Sequence, residues 1–556
     1  MKKRYPLFIL TVLISFGLIL TACSSDDSAK EGNGETGDDD VITLTLFSAD
    51  PHSQWDNMES PVSQIVVEKT GVKLEAEFDV QGGTQKIPLM VSSGEYPDLI
   101  MPKGEAPKLV EAGALLDLTD LIEEHAPNLK KIYGDYYPNR LKWSSEDESI
   151  YILPVSPVDT EYFEPSHGVG LQHAVVQELG YPEIRTLKDF EEAIKAYKEK
   201  YPEINGQPTI GLSLLADDWR IMISVTNPAF WATGASDDGE YYVDPETYEA
   251  IFHYKRPEER EYFRWLNHMN NIGLLDPESF TQTYDQYLAK LSSGRVLGII
   301  DDDWQFADAQ RSLREQGMHE RMYGYYPATL SEEYKHANFQ DTGYLAGWGI
   351  GISVDCKDPV AAIKFLDFLA SDEGQILQNW GIEGEHYEVV DGKRVIPEDV
   401  MNERNNNANF QKETGIGVLK GFAPSYGDGV VDETGNTYTI ASEQQIIDSY
   451  TDLEKEVLKN YGVEMWKDLY PQKEEFPVKP WGAGFHINPQ DQEIIAIEQR
   501  VLDIVKQRIP EAILAAPEEF DAIYDKFVEE IDAAGAEKAE AEKTRLIRER
   551  VELWNN

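Results

Sequence analysis

Residues 41–47, Val-Ile-Thr-Leu-Thr-Leu-Phe, form an apolar, β-branched run whose pattern predicts a buried first strand. A loop with Asp50, Pro51, His52 and Trp55 follows, and then a helix over 61–70 that Gly71 ends. The alternation continues with a strand over 72–78, a helix over 84–93, a strand beginning at 97–101 and a short helix over 106–112 closed by Gly113. Leu187, Phe190, Ile194 and Tyr197 recur at three and four behind Thr186 as cap, which predicts an amphipathic helix over 187–201 in a second lobe. Strand character returns at 209–214, at 294–300 and at 347–353, and the glycines of the last point to a crossing strand or close packing. Asp358 before Pro359 marks a helix start, and Ser371 opens another helix over 372–380. Residues 537–554 read as a highly charged helix with little apolar face, exposed on the outside of a lobe. Short strands alternating with amphipathic helices argue for α/β layers rather than a sandwich or a bundle.

The N-terminus departs from this pattern. Lys2, Lys3 and Arg4 precede an apolar run over 7–20, 14 residues long, which is too short for a comfortable membrane span and fits an export signal. Leu20-Thr21-Ala22-Cys23 resembles the bacterial lipobox, where a peptidase cuts before a cysteine that carries a lipid. That resemblance implies a signal peptide over 1–22, a lipid on Cys23 and attachment to the outer face of a cell membrane of Gram-positive type. Residues 24–40 hold no aromatic and no aliphatic side chain larger than Ala29, so 23–40 reads as a lipidated cysteine and a flexible acidic spacer.

The remaining 515 or so residues exceed what one hydrophobic core organises, so at least two lobes are expected. A formal charge of -51 makes nucleic acid an improbable partner and favours neutral ligands, unless a pocket gathers local cations. With Cys23 lipidated, Cys356 has no disulfide partner, and without a matching His and Asn pattern it reads as a small packed residue rather than a nucleophile. No Ser-His-Asp motif, HExxH or CxxC cluster is present, and no catalytic residue, cofactor or metal is assigned.

Several strings together resemble one family. They are the lipobox, Val-Ser-Ser-Gly-Glu-Tyr-Pro-Asp-Leu-Ile at 91–100, Gly-Ala-Leu-Leu-Asp-Leu-Thr-Asp-Leu-Ile at 113–122, Phe-Leu-Asp-Phe-Leu-Ala-Ser-Asp-Glu-Gly at 365–374 and Asn-Trp-Gly-Ile-Glu-Gly-Glu-His-Tyr at 379–387. The chain resembles the extracellular solute-binding lipoproteins of carbohydrate ABC importers, in the large oligosaccharide-binding branch of Bacillus and Paenibacillus relatives. The resemblance implies a two-lobed periplasmic-binding-protein-like fold of the class II type, with discontinuous lobes, a hinge and an interlobe cleft. By that analogy one lobe takes 41–158 plus 297–346 and the other 159–296 plus 347–556. It implies a monomer that captures an oligosaccharide by hinge closure and hands it to ABC importer permease subunits. Related proteins often carry a calcium loop, Asp-x-Asn-x-Asn-Gly, after the helix matching 187–201. Here residues 201–208 read Tyr-Pro-Glu-Ile-Asn-Gly-Gln-Pro, too few carboxylates to offset the dehydration of calcium.

A sugar cleft needs aromatic platforms for C–H faces and polar side chains for hydroxyl edges, while most of the eleven tryptophans should be structural. Loops at the carboxyl ends of strands are where ligands collect in open α/β sheets. That rule selects Trp55, then Asp218, Trp219 and Arg220 after the strand over 209–214, Trp231 in the same lobe, and Asp302 with Trp304 after the strand over 296–300. Trp348 in a crossing strand completes the ligand-binding candidates, whereas Trp265 and Trp380 sit among apolar neighbours and read as core. An alternative keeps the fold with a peptide or another solute as ligand. A cell-surface glycoside hydrolase, which needs two opposed carboxyl groups, is less favoured.

Overall fold

The structure is a computed structural model that describes residues 41–79, 86–344, 347–407, 409–489 and 491–555. The lipobox, Cys23 and the spacer lie outside the described residues. The first predicted strand forms as Ile42–Ser48 and pairs in parallel with Val72–Phe78 and with Leu99–Met101. Gly349–Ile352 runs antiparallel beside Leu99–Met101, and Leu153–Pro154 completes a five-stranded sheet. Because side chains alternate along a strand, Leu44 and Leu46 join a core with Phe365 and Leu366 of the helix Pro359–Ala370. Phe47 and Ile100 point the other way, to Ile87 of Lys86–Ser93 and Leu109 of Ala106–Glu111. Both faces of the sheet are thus covered, as a largely parallel sheet requires.

A second sheet orders Tyr323–Tyr326, His167–Gln172, Val296–Asp302 and Ile210–Ser213. Leu171, Leu212 and Leu297 pack with Phe190 and Ile194 of the capped helix Leu187–Lys200, whose Thr186 and Asp189 form a capping box. Val296 and Ile299 meet Tyr287 of Tyr284–Ser292 and Phe306 of Asp303–Glu315 on the other face. Gly298 lets the helix approach: a Cβ there would lie 2.6 Å from both Ile194 Cδ1 and Phe190 Cζ.

The strand pairing corrects the expected division of the chain. Val296–Asp302 and Tyr323–Tyr326 belong to the second sheet, not to the first lobe, and Gly349–Ile352 belongs to the first. The chain passes between the two cores from Val158 to Val169, from Ala328 to Tyr344 and from Ala423 to Tyr450. The C-terminal helix, Ala536–Asn555, is also not the exposed rod its charge implies. It buries Ala539, Lys543, Thr544 and Ile547, and the ammonium of Lys543 is satisfied by the carbonyls of Gly484 at 2.9 Å and Ile487 at 2.6 Å. Residues 203–208 form a tight hairpin, Glu203–Ile204 against Gln207–Pro208, with Asn205 and Gly206 both at positive φ, as a two-residue primed turn demands.

Buried His173 stacks on Trp466 at 5.7 Å, and burial holds its pKa down at about 4 from 6.5. The unfolded chain therefore binds this proton below pH 6.5 while the folded chain refuses it until about pH 4. Stability is lost as pH falls through that window, by about 3 kcal/mol for this site at about 1.4 kcal/mol per pKa unit. Urea midpoints at pH 7 and pH 4.5 should diverge less in His173→Phe than in the parent, and an unchanged divergence would refute the assignment.

Candidate functional site

Val296–Asp302 and Ile210–Ser213 run in parallel, so their carboxyl ends deliver the following loops to one edge of the second sheet. There Trp219 and Trp304 stack with centroids 5.9 Å apart at 16°, yet remain 40% and 51% exposed. Two large apolar rings held in the open at a strand end form a platform rather than a core. Trp304 Nε1 donates to Asp302 Oδ2 at 3.0 Å, and its backbone N–H donates to Asp303 Oδ1 at 2.7 Å. Asp302 precedes the helix Asp303–Glu315 but does not cap it; its carboxylate is aimed at the indole edge instead.

Below this edge Asp301 is buried and accepts from Tyr287 Oη at 2.8 Å and Gln305 Nε2 at 2.7 Å. Burial pushes its carboxyl up to about 7, and burial together with the Asp301 charge raises Asp302 well above the usual carboxylate range. Adjacent carboxyl groups in a partly dry site resist ionising together, which is why the Asp301 charge adds to burial in raising Asp302.

The other candidates around this platform divide. The Arg220 guanidinium lies over Trp219 at 4.7 Å and over Tyr284 at 4.2 Å, bracing the platform from within the protein. Asp218, at φ +52°, gives its carboxylate to Lys506 at 3.0 Å, on the helix Gln492–Leu514. Trp231 does not belong to the site. It lies in the core at 4% exposure and stacks on His336 at 4.7 Å, because its loop continues through the π-helical turn Met222–Thr226 into the helix Pro228–Ala232. Trp380 is core as expected, and Trp481 is 2% exposed.

At the corresponding end of the first sheet lies a cavity of about 300 Å³ lined by Asp50, His52, Phe78, Met101, Lys103 and Trp348, among others. Trp348 is 41% exposed, with Lys103 Nζ 5.0 Å over its ring and the His486 ring edge-on at 5.0 Å. Lys103 in turn pairs with Asp50 at 2.5 Å. Trp55 stands beside the cavity in an aromatic cluster, 5.4 Å from Phe78 and 6.0 Å from both His52 and Phe422. The structure therefore groups Trp219, Trp304 and Asp302 on one sheet end and Trp55 with Trp348 at the other. Phe78 and Met101, absent from the candidates, are the last residues of parallel strands, and the strand-end rule applied consistently finds them. Phe422 comes from a distant loop, and no sequence pattern marks it. Among the described residues no cluster of three or more His, Cys, Asp or Glu side chains is placed to hold a metal ion.

The chain resembles known proteins in sequence and in fold. The fructooligosaccharide ABC transporter substrate-binding protein FusA of Streptococcus pneumoniae serotype 4 (strain ATCC BAA-334 / TIGR4) is 24% identical over 299 residues, 50% of this chain and 54% of FusA. The match thus spans about half the length of that relative. Lipoprotein LipO of Bacillus subtilis (strain 168) is 22% identical over 476 residues, covering 82% of this chain and 86% of LipO. Among solved structures, the FusA EF-hand mutant of S. pneumoniae in complex with fructo-nystose superposes with a TM-score of 0.65 at 18% identity, over 91% of this chain and 99% of that one. An HMO binding solute-binding protein from Bifidobacterium longum infantis ATCC 15697 gives 0.66 at 15% identity, over 91% and 98%. Those likenesses show the two-lobed fold. The model of the bacterial extracellular solute-binding protein family matches residues 66–379, more than half of the 556 residues, and the chain belongs to that family.

Proposed function

We propose that this protein captures an oligosaccharide between its two lobes and delivers it to the permease of an ABC importer, without breaking or making bonds. The observation that carries this reading is the exposed Trp219–Trp304 pair with Asp302 at the indole edge. Sugars offer apolar C–H faces to such rings and hydroxyls to such carboxylates, and a buried polar group left unpaired costs about 1 to 3 kcal/mol, which discriminates between sugars. The names of FusA and the sugars in its solved complexes support an oligosaccharide over a peptide. Ligand that touches both lobes favours the closed arrangement by its extra contacts there, a population shift that an importer can sense.

A thermal-shift screen of defined neutral and acidic oligosaccharides and of peptides tests the ligand class, because binding to the folded state raises Tm by mass action. At least one oligosaccharide should raise Tm saturably and be recovered chemically unchanged. A shift with peptides alone, or shortened sugars after incubation, would overturn the reading.

Among the described residues no helix is long and apolar enough to cross a membrane. Membrane attachment in this reading rests on the lipid at Cys23, with 24–40 as tether, and the protein works as a monomer beside the permease. Labelling with a radioactive fatty acid should be lost in Cys23→Ala, and undiminished label would refute the anchor.

A further inference from the structure

Behind Trp348 a second cavity, of about 240 Å³, opens between the lobes. Arg140, Trp143 and Trp348 of the first lobe wall it on one side, and His486, Arg550 and Trp554 of the second on the other. Arg140 lies 4.6 Å over the Trp554 ring and 4.7 Å over Tyr136, and Arg550 lies 5.2 Å over Trp554, so two guanidinium groups from different lobes meet on one indole.

Among the described residues neither guanidinium is in an ion pair, although the Asp341 charge acts on Arg140 from a distance. The Arg140 guanidinium makes no hydrogen bond and no ion pair among the described residues, and its Nη1 is buried without a partner. Arg550 makes one long contact, Nη2 to His486 O at 3.4 Å, and its Nη1 is likewise buried and unpartnered. His486, partly buried, leaves Nδ1 buried and unpartnered. The acidic groups nearby are already engaged. Glu549 pairs with Arg545, and Asp341 accepts from Gly343 N at 2.6 Å and stands beyond ion-pair distance of Arg140. The rim lysines are engaged as well, Lys103 with Asp50 at 2.5 Å and Lys142 with Glu148 at 2.8 Å. Burial lowers the Arg140 pKa and takes Arg550 down to about 10, and burial with the Arg550 and Lys543 charges takes His486 to about 3. Two guanidinium groups outside any ion pair among the described residues thus line one cavity of a chain whose formal charge is -51.

A desolvated guanidinium is stabilised by a planar or tetrahedral oxyanion that matches its fork of N–H donors, and both guanidinium groups line this one cavity. We propose that this cavity binds a small oxyanion, the carboxylate or phosphate group of a solute, that bridges Arg140 of the first lobe and Arg550 of the second. The site is separate from the Trp219–Trp304 platform and does not rest on the oligosaccharide reading. Because its ligands come from both lobes, an anion held there biases their relative arrangement.

The test is thermal unfolding of the purified protein titrated with inorganic phosphate and, separately, with acetate, at ionic strength held constant with sodium chloride. At least one anion should raise Tm saturably, with the apparent affinity at least tenfold weaker in Arg140→Gln and in Arg550→Gln. The anion that acts tells a tetrahedral source from a planar one. Equilibrium dialysis of the unmodified protein with the radiolabelled anion gives an independent reading if Arg550→Gln, in a packed helix, does not fold. No rise beyond the chloride control together with no retained anion would overturn the proposal, as would a rise that Arg140→Gln leaves unchanged.

Discussion

Replacing Trp304 with alanine is expected to weaken oligosaccharide binding about thirtyfold or more while leaving the protein folded. The ring is 51% exposed, so little core is lost, but its face is half of the platform and its Nε1 fixes the Asp302 carboxylate at 3.0 Å. Truncating an aromatic anchor of this kind costs about 2 kcal/mol of binding, and each 1.4 kcal/mol is roughly tenfold. Trp304→Phe keeps a ring and loses only the N–H to Asp302, so its loss should be intermediate. Calorimetric titration with the sugar found by the thermal screen measures both. Equal affinities for Trp304→Ala and the parent would remove the platform from the site.

The largest expected loss of stability is in Asp238→Ala. Asp238 and Lys479 form an ion pair of 2.6 Å with side chains 4% and 3% exposed, and the same Asp238 oxygen accepts from Gly484 N at 2.8 Å and Trp481 Nε1 at 3.4 Å. Lys479 also donates to Ser236 Oγ at 3.0 Å, and its backbone N–H donates to Asp341 O at 3.1 Å in the segment that crosses between the cores. Removing the carboxylate strands a buried ammonium and two backbone or indole donors, at about 3 to 5 kcal/mol. Adding Lys479→Met to the variant removes the stranded charge and should recover a substantial part. Urea unfolding of the single and double variants checks both effects. A single-variant cost below about 1 kcal/mol would show that the pair is solvated.

Local patterns identified most elements because their causes are local. Asp358 caps Pro359–Ala370 by accepting from Ala361 N at 2.9 Å, and Ser371 caps Asp372–Asn379, as their positions before apolar runs imply. The strand-end placement of Trp219 and Trp304 was legible for the same reason: both follow a parallel strand. The division into lobes was not legible, because a strand pattern specifies which residues are buried and not which partner they pair with. Val296–Asp302 meets His167–Gln172 across more than a hundred residues, and nothing in either run names the other. Trp231 and the C-terminal helix fail in opposite directions. A loop aromatic was expected at the surface and is core, while Lys543 and Glu540 were expected in solvent and are buried, Glu540 accepting from Phe252 N at 2.9 Å. In each case distant hydrogen-bonding or stacking partners decide the outcome, and they are invisible along the chain.

Small-angle X-ray scattering of the purified protein, with and without a saturating oligosaccharide, tests capture by closure most directly. Closure predicts a smaller radius of gyration on saturation in the parent and a clearly smaller decrease in Trp304→Ala at a sugar concentration just saturating for the parent. A bound oligosaccharide that leaves the parent's scattering unchanged would contradict it.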